Sequence, residues 1–257
     1  MKFYGKTDVG VCRTENQDCF GIYEILPGVT LLAVCDGMGG MAGGATASRL
    51  ALDTFAQSMR EHILPDNPDD DPDLGSLGLR FSLNASASAA NRAVLKMAED
   101  SDGKLDGMGT TLVALLVVEN TLIYSFNIGD SRLYEIRNGN IEQLTHDHSY
   151  VQHLLDLGRI TYEEAKTSPI RNIITRAVGI DELVEGDIRS HDPTRGTEES
   201  PRYMLLCSDG LSGVISDEEI KNIITTRDTL SKKAEALVTA ANAAGGPDNI
   251  TVVIAEI

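Results

Sequence analysis

Apolar and polar positions alternate along this chain with two different periods, one helical and one typical of strands. Apolar residues three and four positions apart predict two long helices, over 45–64 and 79–99. Apolar, partly β-branched runs predict strands at 31–35, 107–118, 121–128, 131–137, 203–207 and 250–257. The Asn138-Gly139 pair between two such runs is typical of a tight hairpin, which indicates antiparallel strands there. The pattern predicts a protein of mixed helices and antiparallel sheet.

Two polar stretches interrupt this pattern. Residues 64–78 combine prolines, aspartates and glycines, and they predict a long solvated loop. A calcium-binding loop is the alternative there, although the prolines break the regular ligand spacing that such loops need. Residues 145–179 are polar and locally helical between predicted strands, which is typical of a flap over a site.

Length and composition favour a single domain. The chain has 257 residues and no linker rich in proline and serine divides it, so residues 1–257 are expected to fold as one unit. A chain of this length buries roughly 70% of its unfolded surface, which gives a core that needs no disulfides. The four cysteines lack Cys-x-x-Cys spacing, and we expect free thiols in a reducing compartment.

The formal net charge of −17 excludes a surface that binds nucleic acid, because such a surface repels phosphate backbones. No window reaches about 18 consecutive apolar residues, and the N-terminus lacks the apolar segment of a signal peptide. We therefore expect a cytoplasmic protein without membrane contact, and we expect it to be a monomer.

The apolar run at 31–35 ends in Asp36 and then in a series of glycines. Burial of an unpaired carboxylate costs several kcal/mol, so Asp36 needs a metal ion, a basic side chain or several hydrogen-bond donors. Gly37, Gly39 and Ala42 fit the G-x-G-x-x-A spacing of a dinucleotide-binding turn. Against that alternative, Asp36 would repel a pyrophosphate, and no second strand with a ribose-binding acid follows.

Two further aspartates occupy comparable places far along the chain. Asp209 follows an apolar run as Asp36 does, and Asp248 precedes the last predicted strand. Strand ends that are distant in sequence can converge at one sheet edge, and oxygen ligands alone select hard cations such as Mg²⁺ or Mn²⁺. Two such ions about 4 Å apart can activate a water for hydrolysis of a phosphate ester. The three carboxylates therefore predict a two-metal site.

Other polar residues allow more than one interpretation. Arg13 can bind a phosphate bidentately or pair with a local acid, and Asp130 can be a ligand or an ordinary turn residue. His146, His148 and His153 suggest zinc, but they lack the helical i, i+4 pair and adjacent acid of a metalloprotease. For these histidines we predict capping and surface roles.

Several motifs, taken in chain order, are similar to those of one known family. They are D-V-G-V-C-R-T-E-N-Q-D from Asp8, V-C-D-G-M-G-G from Val34, M-G-T-T from Met108, I-G-D-S-R from Ile128, D-H-S-Y-V-Q from Asp147, R-N-I-I-T-R-A-V-G from Arg171, C-S-D-G-L from Cys207 and G-P-D-N-I-T from Gly246. The ordered set covers nearly the whole chain. It resembles the metal-dependent protein serine/threonine phosphatases, the type 2C or PPM family, in their bacterial single-domain form.

The resemblance implies an α+β fold, a four-layer α-β-β-α sandwich in which two central antiparallel sheets are flanked by helices. It also implies two Mn²⁺ or Mg²⁺ ions at one end of the sandwich. Asp36 would bridge both ions, with the Gly37 carbonyl on one and Asp209 and Asp248 on the other. Asp130 would bind a third, weaker metal.

The resemblance assigns further roles around these ions. Asp18 would hold a metal-bound water, and Arg13 would bind the substrate phosphate, so that Arg13 and Asp36 are the expected catalytic residues. Residues 145–179 would form the flap that contributes to substrate choice. The implied substrates are phosphoserine and phosphothreonine in proteins, and a cognate serine/threonine kinase is the implied opposing partner.

Departures from the family pattern concern the proton donor for the leaving group. Met38 and Met41 stand where relatives carry a histidine, and Ala45 replaces a glutamate, so the glycine-rich loop has no histidine. A metal-bound water, or a histidine from elsewhere such as His62, is then the expected donor. The flap has Ser168 in place of the histidine usual before its proline. A non-catalytic phosphoprotein-binding module on the same fold is the alternative function.

Overall fold

The computed structural model describes residues 1–63, 72–118, 122–194, 196–197 and 200–257, and the side chains of 41–42 and 72–77 lie outside this description. Its strands are β1 Lys2–Asp8, β2 Asp18–Leu26, β3 Val29–Met38, β4 Gly109–Thr110, β5 Leu112–Val118, β6 Leu122–Ile128, β7 Arg132–Arg137, β8 Asn140–Gln143, β9 Asp187–His191, β10 Tyr203–Cys207 and β11 Ile250–Glu256. Its helices are α1 Gly40–His62, α2 Pro72–Glu99, α3 Tyr150–Asp156, α4 Tyr162–Thr167, α5 Asp209–Ser212, α6 Asp217–Ile224 and α7 Leu230–Ala243.

The described strands form two antiparallel sheets. One sheet has the order β1-β11-β10-β7-β8, and the other has the order β2-β3-β5-β6-β9, with β4 paired to the end of β3. The predicted hairpin joins β7 and β8, where Asn138 and Gly139 both have positive φ, as a two-residue turn of this kind requires. The first and last strands lie side by side, so Lys2 is opposite Glu256.

The side chains of β3 show how the layers are built. Leu31, Ala33 and Cys35 pack with residues of α1 and α2, whereas Leu32 and Val34 pack between the two sheets. On the other sheet, β10 and β11 pack outward against α5, α6 and α7. Each sheet is therefore apolar on both faces, and helices must cover the outer ones. This arrangement confirms the predicted helix–sheet–sheet–helix sandwich.

The loop predicted at 64–78 is wrong in its second part, because α2 begins at Pro72. Residues 64–71 lie outside the described residues. Proline is tolerated in the first turn of a helix, where its missing N–H would have no intrahelical acceptor. The buried side chains of Leu79 and Leu83 belong to the same core cluster as α1, so packing favours the helix. Among the described helices, none has the length and apolar character that a membrane span requires.

The segment 145–179, called the flap below, carries α3 and α4. Ser149 forms a bridge with Ile174 near the two ends of the segment, and Val178 forms a bridge with Thr110 of β4. The second bridge joins the end of the flap to β4, which pairs with the last residues of β3.

Candidate active site

Six of the seven predicted site residues line one cavity of about 480 Å³, where β3 and β10 end and β11 begins. The lining residues are Arg13, Thr14, Glu15, Gln17, Asp36, Gly37, Met38, Gly39, Gly40, Thr111, Asp130, Asn172, Ile174, Asp209, Asp248 and Asn249. The seventh residue, Asp18, is buried behind them. The structure thus brings together residues from both ends and the middle of the chain.

Asp36 lies within β3, which continues through Met38 and does not end at Asp36 as predicted. Two threonines hold its backbone, Thr110 at the end of β4 and Thr111 between β4 and β5. Thr111 Oγ1 accepts from Asp36 N at 2.9 Å, while Thr111 N and Thr110 Oγ1 both donate to Asp36 O at 2.9 Å. The backbone groups of Asp36 are satisfied, and its carboxylate is free to face the cavity.

Asp209 and Asp248 come from the other sheet. Asp209 is the first residue of α5, two positions after β10, and its side chain lies within hydrogen-bonding reach of Asp36. Asp248 Oδ1 accepts from the backbone N of Asn249 at 2.9 Å, and its Oδ2 accepts from Arg13 Nη2 at 2.8 Å. The two carboxylates converge because β10 ends at the edge where β11 begins.

Asp18 is the deepest carboxylate and is the cross-strand partner of Asp36 on β2. Ser208 Oγ donates to Asp18 Oδ2 at 2.7 Å and accepts from the backbone N of Thr251 at 3.0 Å. Asp18 Oδ1 has no hydrogen-bond partner among the described residues. One oxygen of Asp18 is therefore fixed by the protein, and the other is available to a bound group.

Asp130 follows Gly129, and His148 forms hydrogen bonds with both the backbone carbonyl and the backbone N–H of Gly129. His148 N donates to Gly129 O at 2.9 Å, and His148 Nδ1 accepts from Gly129 N at 3.1 Å. His148 Nε2 lies 3.1 Å from Arg176 Nη1 and 3.4 Å from Asp187 Oδ2. His148 is buried, so the surface role predicted for it is wrong, and it fixes the turn that carries Asp130.

Burial and mutual repulsion raise the pKa values of these acids. Burial of the carboxyl group, followed by the nearby Asp209 and Asp248 charges, raises the pKa of Asp18 to about 7. Burial and Asp209 raise the pKa of Asp130 to about 8, and burial and Asp18 raise the pKa of Asp36 well above its ordinary value. A bound cation would stabilise the charged form of these carboxyl groups and lower their pKa values.

The residues present fit a hard cation. Asp18 Oδ1 and Asp209 Oδ1 are buried oxygens without a donor among the described residues, and Asp36 and Asp248 add further oxygen atoms. Within the described ranges, no three acidic, histidine or cysteine side chains form a closed ligand set. The carboxylates border an open cavity, so a cation there would also use backbone and water oxygens.

Arg13 reaches the cavity from the loop between β1 and β2, and Asn249 organises this loop. Asn249 Nδ2 donates to the carbonyls of Val9 and Glu15, both at 2.9 Å, and its Oδ1 accepts from Gln17 N at 2.8 Å. Both interpretations of Arg13 thus have support, because the guanidinium is half exposed at the cavity and is also paired with an acid.

The glycines after Asp36 serve helix packing. A Cβ atom on Gly37 would collide with the backbone carbonyl of Gly44 in α1, so glycine lets the helix approach the end of β3. Gly39 precedes the helix with φ of 116°, in the region that favours glycine. The helix N-terminus lies beside a carboxylate cluster that would repel a pyrophosphate, which argues against the dinucleotide alternative.

His62 is placed wrongly for the role of proton donor. It lies at the C-terminal end of α1, whereas Gly40 at the other end lines the cavity. At 1.5 Å per residue the helix separates them by roughly 33 Å. His62 Nδ1 is 2.8 Å from the carbonyl of Ser58 in its own helix. The hypothesis that His62 is brought near the site is therefore wrong.

Sequence reasoning missed the residues that hold the carboxylates in place. Ser208, Asn249, Thr111 and His148 belong to quoted motifs, but no role was predicted for the first three. The sequence did contain a signal for them. Ser208 and Asn249 are next to Asp209 and Asp248, and Thr111 and His148 lie within the M-G-T-T and D-H-S motifs. Their hydrogen-bond partners lie in other strands, and only the folded arrangement identifies them.

The chain was compared with known proteins. The sequence profile described as protein phosphatase 2C matches residues 13–250. The serine/threonine phosphatase stp of Listeria welshimeri is 36% identical over 251 residues, covering 98% of this chain and 94% of that protein. The structure of the S. agalactiae serine/threonine phosphatase superposes with a TM-score of 0.85 at 34% identity, with 98% of both chains covered.

A further solved structure is the catalytic domain of the phosphatase PstP in complex with two manganese ions. It is similar with a TM-score of 0.79 at 36% identity, covering 99% of this chain and 97% of that one. The family match extends over most of the chain, and the relatives align along nearly their whole length. The chain therefore belongs to the protein phosphatase 2C family and is a protein phosphatase.

Proposed function

We propose that this enzyme hydrolyses phosphoserine and phosphothreonine monoesters in proteins, with two Mn²⁺ or Mg²⁺ ions bound at the carboxylate cavity. Asp36 would contact both ions, the Gly37 carbonyl would contact one, and Asp209 and Asp248 the other. Asp130 would hold a third, weaker ion. The observation that carries the proposal is the cluster of buried carboxylates, with raised pKa values, facing one cavity beside Arg13.

When bound, such ions activate water as a nucleophile and offset the negative charge of the phosphate. The protein's own side chains bind the phosphate and orient water. Arg13 binds the phosphate oxygens bidentately, since its guanidinium is half exposed and already points into the cavity through its contact with Asp248. Asp18, fixed by Ser208, presents its free oxygen as an acceptor that orients water.

The choice of substrate and metal is supported by the relatives. Those compared above are named serine/threonine phosphatases, and one solved relative holds two manganese ions. Hard oxygen ligands suit Mg²⁺ as well. The cognate kinase, the monomeric state, the cytoplasmic location, the single domain over 1–257 and the role of the flap in substrate choice stay predictions.

The test is hydrolysis of p-nitrophenyl phosphate and of a phosphothreonine peptide with Mn²⁺, with Mg²⁺ and with EDTA, in wild type and in Asp36→Asn. We expect activity with the metals and a loss of roughly three orders of magnitude or more with EDTA or in the variant. Asp192→Asn, at an exposed aspartate outside the cavity, is the matched control and should retain activity. Activity that survives chelation would overturn the two-metal mechanism.

A further inference from the structure

The last residues of β3 are held from the side by two neighbouring segments of backbone. β4 pairs with the end of β3, and its Thr110 lies opposite Gly37. On its other edge β4 pairs with Val178, because Val178 N donates to Thr110 O and Thr110 N donates to Val178 O, both at 2.9 Å. Neighbouring strands are about 4.8 Å apart, so Val178 lies roughly 10 Å from Gly37.

β4 has only two residues, so its position depends on both neighbours. Thr110 Oγ1 donates to Asp36 O at 2.9 Å, which joins β4 to Asp36 as well as to Gly37. On the other side, a Cβ atom on Gly109 would lie 2.9 Å from Val178 O, so the two segments are in close contact. A shift of Val178 would therefore move β4, and with it the backbone that carries the candidate ligands Asp36 and Gly37.

The chain directly after Val178 is held by Asn91 of α2. Asn91 Oδ1 accepts from Gly179 N at 2.6 Å, and Asn91 Nδ2 donates to Asp181 O at 2.8 Å and to Glu182 O at 3.3 Å. The side chain of Asn91 is only 1% exposed, so its loss would leave partners that water cannot easily satisfy. One carboxamide thus fixes three consecutive turns of backbone direction in this segment.

Residues 179–182 depend on this carboxamide because they have few other attachments. Within the described ranges, no backbone–backbone hydrogen bond involves residues 179–182, and residues 180–182 are exposed. Gly179 has φ of 89°, and a Cβ atom there would lie 2.2 Å from Val94 Cγ1, one turn along α2 from Asn91. The segment therefore lies directly on α2, and Asn91 supplies its polar attachment to that helix.

We propose that Asn91 is a positioning residue for the metal ligands Asp36 and Gly37. It fixes Gly179, which keeps Val178 paired with β4, and β4 then holds the end of β3. Asn91 does not line the carboxylate cavity, so it acts on the ligands only through these backbone pairs. The inference rests on the proposed function and on the ligands named there.

The test is calorimetric titration of Mn²⁺ into the metal-free protein, in wild type, Asn91→Ala and Asn91→Leu. Both substitutions remove the three hydrogen bonds, and leucine refills the space with the same branched shape, which protects the test if the alanine variant fails to fold. The dissociation constant for Mn²⁺ should rise by roughly fivefold or more in both variants. The kcat for p-nitrophenyl phosphate should return to within about threefold of wild type at saturating Mn²⁺, because mass action restores the bound state.

Ser82→Ala is the matched control, because Ser82 is another buried polar side chain of α2. Its Oγ lies 3.0 Å from His62 O and 2.9 Å from Gly78 O, beside the C-terminal end of α1. This variant should lower Tm and keep the dissociation constant for Mn²⁺ within about twofold of wild type, since it shares no partners with the metal ligands. The comparison separates a loss of metal affinity from a general loss of stability.

Hydrogen exchange of the metal-free protein locates the effect. The backbone N–H groups of Thr110 and Val178 donate to each other's carbonyls, so their exchange reports whether this pairing opens. In Asn91→Ala both N–H groups should exchange at least about threefold faster than in wild type, whereas Ser82→Ala should keep their wild-type rates.

Wild-type affinity for Mn²⁺ in the Asn91 variants would overturn the inference, and so would wild-type exchange rates at Thr110 and Val178. It would also be overturned if Ser82→Ala weakened Mn²⁺ binding equally, or if saturating Mn²⁺ failed to restore kcat. In each of these cases the proposed function stands, provided that the wild type binds Mn²⁺ and hydrolyses p-nitrophenyl phosphate. A wild type that does neither would overturn the proposed function together with this inference.

Discussion

Arg13 Nη2 lies 2.8 Å from Asp248 Oδ2, so a cation of the first loop is held by a carboxylate 235 positions away in the sequence. Asn249, the next residue, binds the same loop through backbone groups. The start of β11 therefore supplies both a candidate metal ligand and the support for the candidate phosphate-binding side chain.

Arg13→Ala should lower kcat/KM for phosphomonoesters by about 10- to 100-fold, because charge-assisted hydrogen bonds contribute about 1.5–3 kcal/mol each. Arg13→Lys should recover only part of this loss, since an ammonium group cannot bind two phosphate oxygens in a fixed plane. Steady-state kinetics with p-nitrophenyl phosphate measure both. Arg137→Ala, which removes another arginine paired with an aspartate, is the control and should leave kcat/KM within about twofold. An Arg13→Ala rate equal to wild type would contradict the assignment.

Asn249→Ala should lower kcat/KM by about tenfold through Arg13, because three hydrogen bonds that shape the loop are lost. The decisive measurement is a double-mutant cycle. In the Arg13→Ala background, Asn249→Ala should have less than about twofold further effect, since the residue it positions is gone. Asn242→Ala, which removes a bond to Asp8 before the same loop, is the control. Fully additive losses would show that Asn249 acts independently of Arg13.

Mn²⁺ should stabilise the folded protein, because a cation relieves the repulsion among the buried carboxylates. At 100 times the dissociation constant, binding contributes about 2.7 kcal/mol, which raises Tm by roughly 5–10 °C for a domain of this size. Differential scanning fluorimetry with and without EDTA measures the shift. Asp36→Asn should abolish most of it, and Asp192→Asn should keep it. A shift of wild-type size in Asp36→Asn would place the bound ion elsewhere.

His62→Ala should leave kcat and its pH dependence within about twofold of wild type, since the α1 helix holds His62 roughly 33 Å from Gly40. The measurement is kcat for p-nitrophenyl phosphate across a pH series. A large loss of kcat with unchanged Tm would mean that His62 reaches the cavity after all and would contradict the described geometry.

His191 should contribute a loss of stability when the metal-free protein is acidified, whereas the buried carboxyl groups of Asp18 and Asp130, whose pKa values are raised, contribute with the opposite sign. Burial lowers the pKa of His191 below the ordinary value of 6.5, and its Nε2 is 2.8 Å from Ser125 Oγ. At this position the unfolded state binds more protons than the native state, so the contribution of His191 to the free energy of unfolding decreases as pH falls below about 6.5. A single such group contributes at most about 1.4 kcal/mol per pH unit.

Urea unfolding in EDTA at several pH values between about 7.5 and 5.5 checks this dependence. His191→Gln keeps a side chain able to bond Ser125. Its free energy of unfolding, measured relative to wild type, should increase as pH falls, because the variant lacks the destabilising contribution of His191. His153→Gln, on an exposed part of α3, is the matched control and should follow the wild type. Identical slopes for all three proteins would exclude His191 as a contributor.

The local sequence pattern was sufficient to predict those elements whose structure depends on residues close to one another in the sequence. The Asn138-Gly139 hairpin followed from turn chemistry, most of α1 from its apolar periodicity and β11 from its apolar, β-branched run. The start of α2 did not, since prolines and glycines at 72–78 favour a loop locally, whereas packing of Leu79 and Leu83 against the core favours a helix.

The ordered motifs identified the family, and with it the layered fold and the candidate acids, while the apolar runs marked most of the central strands. Only the tertiary structure decided how those acids are held. Ser208 meets Asp18 across 190 positions, and Arg13 meets Asp248 across 235. Such contacts depend on strand order and register, which no local period encodes. The length of α1, in turn, keeps His62 far from the cavity.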